Sequence, residues 1–253
     1  MHRKMTLLTT DRTPSTDNPE YDGWGTHAVL EDLVCRRFAG RIALVSSFGT
    51  ESAVLLHLAA GIDRNIPVIF LDTGKLFPET LHYRDILVEK LGLRDVRSVR
   101  PNARTIAHAD AKGTLWESDP DQCCWHRKVE PLDDALTGFA AWITGRKQFQ
   151  GGERGKLQVI EHLPDGRIKA NPLVGWSNEK LHTYLATHGL PRHPLWARGF
   201  RSIGCAPCTR ATAAHEDARA GRWAGLGKTE CGIHLARQGS LTQIGIAGAS
   251  RDG

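Results

Sequence analysis

Residues 41–60 read RIALVSSFGTESAVLLHLAA, and the order of elements in this stretch decides the fold class. Its first part, RIALVSS, is a short apolar run that predicts a buried strand. SAVLLHLAA then repeats apolar residues at helical spacing, and the polar turn FGTE joins the two. A second unit follows, in which IPVIFLDTG predicts a strand and PETLHYRDILVEKLG a helix with Pro78 at its first position. Strands that alternate with helices in this way predict an α/β fold with a doubly wound, mostly parallel sheet.

The remaining chain extends this pattern and then departs from it. DVRSVRP and AAWITG predict a third and a fourth strand, and residues 28–38 carry a helical pattern before the first strand. Beyond Gly151, QVIEHLPDGRIKANPL predicts a hairpin that turns at Asp165 and Gly166, NEKLHTYLATHGL predicts an amphipathic helix, and the rest is loop-rich. We therefore expect a flexible leader over residues 1–22, a single domain over 23–223 and a mobile tail over 224–253.

Composition narrows the class of protein. The 253 residues are 40% hydrophobic and 24% charged, which is typical of a globular chain able to bury a core. The net charge of +5 favours an anionic partner, which is a nucleotide, a nucleic acid or an acidic protein surface. No apolar run reaches the roughly 18 residues that span a membrane. The first residues also lack the apolar core and cleavage site of a secretion signal, so the sequence predicts a cytoplasmic protein without membrane contact.

Two polar turns follow the first two predicted strands. Because the carboxyl ends of parallel strands meet at one edge of the sheet, these turns would lie side by side. Small polar residues at a helix amino terminus bind phosphate or sulfate, although the same residues also serve as ordinary helix caps. The missing Gly-Lys-Ser/Thr ending excludes a Walker A loop. The two turns together predict a nucleotide cleft, with these candidate residues: Ser46, Ser47, Phe48, Gly49, Thr50, Ser52, Leu71, Asp72, Thr73 and Gly74.

Six cysteines occur in the sequence, and four of them form two pairs. In a reducing compartment, grouped cysteines are more often metal ligands or catalysts than disulfides. Adjacent cysteines on a helix project about 100° apart, which suits separate irons of one cluster better than one tetrahedral zinc. An iron–sulfur cluster, a structural zinc and an unligated buried set are the three interpretations, and Cys35 is predicted to be part of the core. The four candidate ligands are Cys123, Cys124, Cys205 and Cys208.

Cys231 stands apart from both pairs, in the segment KTECGIH at residues 228–234. Lys228 and His234 flank it as potential cations that would favour its thiolate, and the surrounding glycines predict a flexible segment. These neighbours suit a nucleophile on a moving tail better than a small buried residue. Lys128 lies one helical turn beyond Cys124, where spacing alone predicts an ordinary solvated side chain.

Six segments in this order resemble the assimilatory sulfonucleotide reductases: SSFGTES, LDTGKLFPET, CCWHRKVEPL, GCAPCTR, RAGRW and KTECGIH. The resemblance covers about residues 40–235, and any one segment alone has little specificity. Both cysteine pairs are present, which is similar to the branch of the family that reduces adenosine 5'-phosphosulfate (APS). The resemblance implies an adenine nucleotide alpha hydrolase-like fold of the PP-loop type.

The resemblance also implies a chemistry. A [4Fe-4S] cluster would bind to the two cysteine pairs, and Cys231 would attack the sulfur of APS, releasing AMP and leaving an S-sulfocysteine. Thioredoxin, or a glutaredoxin-like protein, would then release sulfite. The two polar turns would hold the adenosine and its 5'-phosphate, with Gly145 and His234 beside them. Cations would neutralise the phosphosulfate oxygens, and the matching positions are Lys128, Arg146, Arg219 and Arg222.

The sequence departs from its relatives at Phe48, where the related ATP pyrophosphatases carry glycine in SGGxDS, and at His215, where relatives often have glycine. The first departure argues against ATP cleavage. Reduction of 3'-phosphoadenosine 5'-phosphosulfate (PAPS), or of both substrates, is the nearest alternative. A tRNA-thiolating enzyme and a zinc-stabilised nucleic-acid-binding protein are more remote alternatives. The preferred interpretation includes no nucleic-acid partner and allows a homo-oligomer.

Overall fold

A six-stranded sheet organises the protein, and the computed structural model describes residues 21–234. The strands are β1 (Ile42–Val45), β2 (Val68–Leu71), β3 (Val96–Val99), β4 (Ala141–Ile143), β5 (Ile160–His162) and β6 (Ile168–Ala170). Their order across the sheet is β3-β2-β1-β4-β6-β5. The first five strands in this order run parallel, and β5 pairs antiparallel with β6. The predicted strands and the predicted hairpin are therefore confirmed.

Helices lie on both faces of the sheet and in the connections. The α-helices are α1 (Thr26–Glu31), α2 (Ser52–Ile62), α3 (Pro78–Leu91), α4 (Ala103–Ala109), α5 (Leu115–Ser118), α6 (Pro120–Cys124), α7 (Glu130–Ala135) and α8 (Asn178–Thr187). Residues Asp32–Arg37 and Trp125–Val129 form π-helical turns. Short 3₁₀ turns cover Gln148–Gln150, Gly152–Lys156, Pro194–Arg198 and Ala206–Cys208. Within residues 21–234, no helix is both long and apolar enough to cross a membrane.

Local sequence explains where the longer helices begin. Phe77 keeps an extended backbone and Pro78 opens α3, since the missing N–H of proline is not needed in a first turn. The Ser177 hydroxyl caps α8 by accepting the Lys180 N–H at 3.1 Å. The Asn102 side chain caps α4 in the same way. These two caps fix the first residues of α4, which follows β3, and of α8, which follows β6.

Alternation along the central strand divides the core between the two faces of the sheet. Ile42 and Leu44 of β1 belong to the larger cluster, which also contains Phe70 of β2 and the buried residues of α2 and α3. Ala43 faces the opposite side and packs in a smaller cluster with Trp142 of β4. Because both faces of the strand are buried, its sequence reads as a continuous apolar run.

Two features near the amino-terminal end differ from expectation. Cys35, predicted to be core, is exposed. It lies in the π-helical turn after α1, where Leu33 and Val34 take the buried side and leave Cys35 facing solvent. Tyr21, placed in the predicted leader, is 4% exposed and its hydroxyl donates to Asp32 Oδ2 at 2.8 Å, so it packs with the domain.

The rest of the predicted leader, residues 1–20, and tail residues 235–253 lie outside the described residues. Residues 224–234 of the predicted tail are described, and they pack against the domain. Mobility of the tail stays a prediction.

We expect replacement of Gly221 by alanine to destabilise the fold. A Cβ atom at this position would lie 2.2 Å from the carbonyl oxygen of Arg210, so the backbone of the two segments would have to move apart. Anaerobic denaturant unfolding should show a loss of about 2 kcal/mol. The control is Gly61→Ala in α2, where a Cβ meets nothing within 4 Å and helix propensity favours alanine by roughly 0.5 kcal/mol. Equal effects of the two substitutions would contradict this account.

Candidate active site

A cavity of about 580 Å³ opens at the carboxyl ends of β1, β2 and β4. Residues of both polar turns line it, as the sequence predicted for a nucleotide cleft. The predicted site residues that line the cavity are Ser46, Ser47, Gly49, Thr50, Ser52, Leu71, Thr73, Lys128, Gly145, Arg146, Arg219, Arg222, Cys231 and His234.

Three residues of the predicted substrate site do not line the cavity. Phe48 is fully buried, with a positive φ of 47°, and its ring packs edge-on against Phe70 at 5.3 Å. Asp72 accepts from Arg100 Nε at 2.9 Å and from the Gly74 N–H at 3.2 Å. Phe48 is therefore a packing residue, while Asp72 shapes the second turn through its contacts with Arg100 and with the Gly74 N–H.

The first turn is held in shape by its own hydroxyl groups. The Ser46 hydroxyl accepts from the Phe48 N–H at 3.2 Å, and the Ser52 hydroxyl accepts from the Gly49 N–H at 2.8 Å. Thr50 donates to the carbonyl oxygen of Arg201 at 2.8 Å, which ties the turn to the loop on the far side of the cavity. The exposed Ser47 hydroxyl stays at the cavity edge, beside the amino terminus of the 11-residue helix α2. This arrangement suits an anion.

Lys128 is buried, so the solvated side chain predicted from spacing is wrong. Only 9% of the residue is exposed, and its Nζ lies 5.8 Å from the centre of the Trp223 ring. Burial by itself lowers the pKa of Lys128, but its electrostatic interaction with the sulfur groups of Cys205, Cys231 and Cys124 outweighs burial and holds that pKa above its ordinary value. Lys128 is a charged group between the cavity and the paired cysteines.

Arg222 reaches the cavity only because a glycine faces it. Its guanidinium stacks 4.3 Å from the centre of the Trp223 ring and donates to the carbonyl oxygen of Ile203 at 3.1 Å. A Cβ on Gly204 would lie 2.3 Å from Arg222 Nη2. Among residues 21–234, the buried Arg222 Nε has no hydrogen-bond partner. It is a donor available to a bound ligand.

Arg146 lines the cavity and is held by a carboxylate and an amide. It forms a short ion pair with Glu161 and donates to Asn171 Oδ1 at 3.2 Å. Burial lowers the pKa of Arg146, although Glu161 opposes that effect. Lys169 donates to Glu161 Oε2 at 2.9 Å and to the carbonyl oxygen of His234 at 2.9 Å, so the same carboxylate links Arg146 to the tail.

Six further charged residues line the cavity and were not among the predicted site residues, namely Glu51, Lys147, Arg154, Arg201, Asp217 and Glu230. Lys147 and Glu51 form an ion pair of 2.5 Å, and Arg154 pairs with Glu230 at 2.5 Å. Lys147 follows Arg146 in the sequence, and Glu230 precedes Cys231. Their position next to a predicted site residue could therefore have identified both. Arg154 carried no comparable signal, because it lies in a glycine-rich turn without periodicity.

The four paired cysteines are buried beside the cavity and form no disulfide. Cys124, Cys205 and Cys208 pack with Trp223, and Cys231 borders the same cluster. Burial raises the pKa of Cys123 and Cys208, and raises that of Cys124 to about 11. Within residues 21–234, no three His, Cys, Asp or Glu side chains are arranged to hold a single metal ion. As a donor set, four buried thiols on two short turns fit an iron–sulfur cluster.

Cys205 differs from the other three cysteines of the set. Burial raises its pKa, but Lys128 and a contact of 3.3 Å with the Thr73 hydroxyl reverse the direction, and the net pKa is lowered. Thr73 belongs to the second polar turn. The cysteine site and the nucleotide cleft are thus in direct contact.

Cys231 is half-buried at the boundary between the cavity and the cysteine cluster. Of its two predicted cationic neighbours, Lys228 forms a short ion pair with Asp121. His234 is not a cation, because burial and the nearby Arg146, Arg154, Lys169 and Arg219 hold its pKa well below the ordinary value. The positive field at this end of the cavity therefore comes from lysine and arginine side chains.

Comparison with known proteins agrees with the geometry. Residues 41–211 match the profile of the phosphoadenosine phosphosulfate reductase domain. A Mesorhizobium japonicum protein named adenosine 5'-phosphosulfate reductase is 50% identical over 208 residues, which cover 82% of each chain. A protein of the same name from Chelativorans sp. is 46% identical over 223 residues, covering 88% of this chain and 91% of the relative.

A solved structure supports the same assignment. The phosphoadenylyl-sulfate (PAPS) reductase from Candida auris, determined as a phosphate complex, is 26% identical with a TM-score of 0.63, covering 74% of this chain and 90% of that one. The predicted fold class and the predicted resemblance are confirmed. With its polar turns, its cationic cavity and its paired cysteines, the chain belongs to the phosphoadenosine phosphosulfate reductase domain family.

Proposed function

We propose that this protein reduces APS to sulfite and AMP, with a thioredoxin or glutaredoxin-like protein as the reductant. The observation that carries the proposal is the position of Cys231, which borders a nucleotide-sized cationic cavity and is left over once the four paired cysteines are grouped. The relatives named adenosine 5'-phosphosulfate reductase support the choice of substrate. We place the reaction in sulfate assimilation in the cytoplasm.

The charge of the cavity suits a phosphosulfate. Seven lysine or arginine residues and three aspartate or glutamate residues line it. Lys147, Arg154, Arg146 and Arg219 have carboxylate partners. Among the described residues, three cations of the cavity form no ion pair with a carboxylate, namely Lys128, Arg201 and Arg222. Lys128 and Arg222 pack on Trp223, which borders Cys231, whereas Arg201 stacks on Trp196. Lys128 and Arg222 are therefore the unpaired cations placed to neutralise oxygens on the sulfur that Cys231 attacks.

The reaction has two halves, and both use the sulfur atom of Cys231. Its thiolate attacks the sulfur of APS, the bond between that sulfur and the bridging phosphate oxygen breaks, and AMP leaves with the electron pair. An S-sulfocysteine remains. A thiolate of the reductant then attacks Cys231 Sγ and sulfite leaves. The second thiol of the reductant resolves the mixed disulfide, so two thiols supply the two electrons and Cys231 is restored.

Cys123, Cys124, Cys205 and Cys208 are the residues that would hold a [4Fe-4S] cluster. When bound, such a cluster would order this wall of the site and would add negative charge next to Lys128, without passing electrons to the substrate. Lys128 itself orients the sulfate end of APS and offsets its charge. The family also contains PAPS reductases, and the polar turns alone do not discriminate between a 3'-hydroxyl and a 3'-phosphate.

Replacement of Cys231 by serine tests the central step. Anaerobically purified protein with thioredoxin should release sulfite from APS, and Cys231→Ser should lower the rate by at least about 10³-fold because a hydroxyl is a far weaker nucleophile. Cys35→Ser is the matched control, since Cys35 is exposed and does not line the cavity, and it should leave the rate unchanged. Unchanged sulfite release by the Cys231 variant would refute the proposal, and faster release from PAPS would reassign the substrate.

Metal content tests the cofactor. Protein purified anaerobically should contain about four iron and four acid-labile sulfide per chain. Cys208→Ser should lower both, whereas Cys35→Ser should lower neither. Zinc without iron would contradict the cluster and favour a structural zinc.

Lys128→Met separates catalysis from cluster binding. Methionine fills the buried space without the charge, so turnover should fall by about 10²-fold or more. Iron and sulfide content should fall much less, because the lysine is not a ligand. Equal loss of turnover and of iron would show that Lys128 acts through assembly of the cysteine site.

A further inference from the structure

We propose that Glu230 is a positioning residue that competes with the anionic substrate for two arginines of the cavity. Through its contacts with these arginines, Glu230 holds Cys231 at the cavity and also weakens substrate binding. The inference rests on the proposed function and adds a role for a residue that the reaction steps above do not use.

Glu230 is held by two guanidinium groups. Its Oε1 lies 2.5 Å from Arg154 Nε and its Oε2 lies 3.0 Å from Arg154 Nη2, which is a bidentate pairing. Oε1 also lies 3.3 Å from Arg219 Nη2. The same Arg219 atom donates to the carbonyl oxygen of Thr229 at 2.8 Å, so backbone and side chain of this segment converge on one arginine.

The three side chains are largely shielded from water. Glu230 is 21% exposed, Arg154 12% and Arg219 16%. Burial raises the pKa of Glu230, but the two arginines outweigh burial and hold that pKa below its ordinary value. Glu230 is therefore a carboxylate in a partly desolvated site, where ion pairs are stronger than at an open surface.

The position of this carboxylate creates the competition. Arg154, Arg219, Glu230 and Cys231 all line one cavity. A carboxylate and a phosphate or sulfate present the same kind of paired oxygen acceptors to an arginine. A phosphosulfate near Cys231 must therefore share the two guanidinium groups with Glu230 or displace it, and either event costs binding free energy.

The same contact also places the nucleophile. Glu230 is the residue before Cys231, so fixing its carboxylate against Arg154 and Arg219 fixes the backbone from which Cys231 projects. Removing the charge should have two opposite effects. The substrate should bind more tightly, because both arginines become available, and the attack should become slower, because Cys231 is less well positioned.

A second ion pair in the same segment provides a control. Lys228 pairs with Asp121, which is 74% exposed, and Asp121 does not line the cavity. Asp121→Asn therefore loosens the tail without releasing a cavity arginine. Glu230→Gln keeps the size of the side chain and removes only its charge, so the two variants separate release of the arginines from loosening of the tail.

Equilibrium binding of APS is measured by calorimetry in a Cys231→Ser background, which prevents the reaction. We expect Glu230→Gln to lower the Kd about fivefold to tenfold, and Asp121→Asn to change it by less than about twofold. An Arg154→Gln background should reduce the effect of Glu230→Gln, since one of the contested guanidinium groups is then missing. Glu230→Asp, which keeps the charge, is expected to give a Kd near that of the parent.

Single-turnover release of AMP is measured in protein that retains Cys231. At saturating APS, Glu230→Gln should slow the release by about tenfold. A Kd that is unchanged or raised by Glu230→Gln would overturn the inference, as would equal tightening by Asp121→Asn. Failure of the unsubstituted protein to release AMP would instead refute the proposed function, so the two failures are distinguishable.

Discussion

The site depends on the interaction between the buried ammonium group of Lys128 and the neighbouring cysteine sulfur atoms. An isolated cation removed from water costs several kcal/mol, so Lys128 needs negative charge in contact with it. The sulfur groups of Cys205, Cys231 and Cys124 are the neighbours whose charged forms hold the pKa of Lys128 above its ordinary value. Because one lysine is shared, the cysteine site and the nucleotide cavity have a common wall. A change in the charge of the sulfur atoms therefore alters the field that a sulfate in the cavity experiences.

Close backbone contacts hold this wall together. The second polar turn and the loop of Cys205 are joined by the hydrogen bond from the Ala206 N–H to the carbonyl oxygen of Lys75, at 2.8 Å. On the other side, the Arg210 N–H donates to the carbonyl oxygen of Gly221 at 2.9 Å. That pairing presses Arg222 and Trp223 against the cysteines, and glycine at 204 leaves room for the guanidinium. The geometry of the cavity is thus set by main-chain contacts, which change less easily than side-chain rotamers.

Sequence alone predicted the sheet and the two polar turns at the cavity, because periodicity marks β1, β2 and α2 and small polar residues mark the turns that follow the strands. It did not predict the burial of Lys128, since spacing along a helix does not reveal what packs over that helix. The exposure of Cys35 was missed for a related reason, because a π-helical turn changes which residues face the core. Phe48 was placed in the nucleotide site on motif position, yet its positive φ turns the ring into the core. The contacts of Arg154 depend on chain segments far apart in sequence.

In the proposed reaction the Cys231 sulfur atom serves two steps, and the contacts of the described tail suit both. Residues 228–234 are held mainly by polar contacts, namely Lys228 to Asp121, Glu230 to two arginines and the His234 carbonyl to Lys169. Ile233 adds a partly buried apolar contact. Water and substrate anions can replace ion pairs at little net cost, whereas a large apolar interface would have to be exposed to release the segment. A polar attachment therefore holds Cys231 at the cavity, and in the proposed reaction it would cost less free energy to release toward a protein reductant than an apolar interface would.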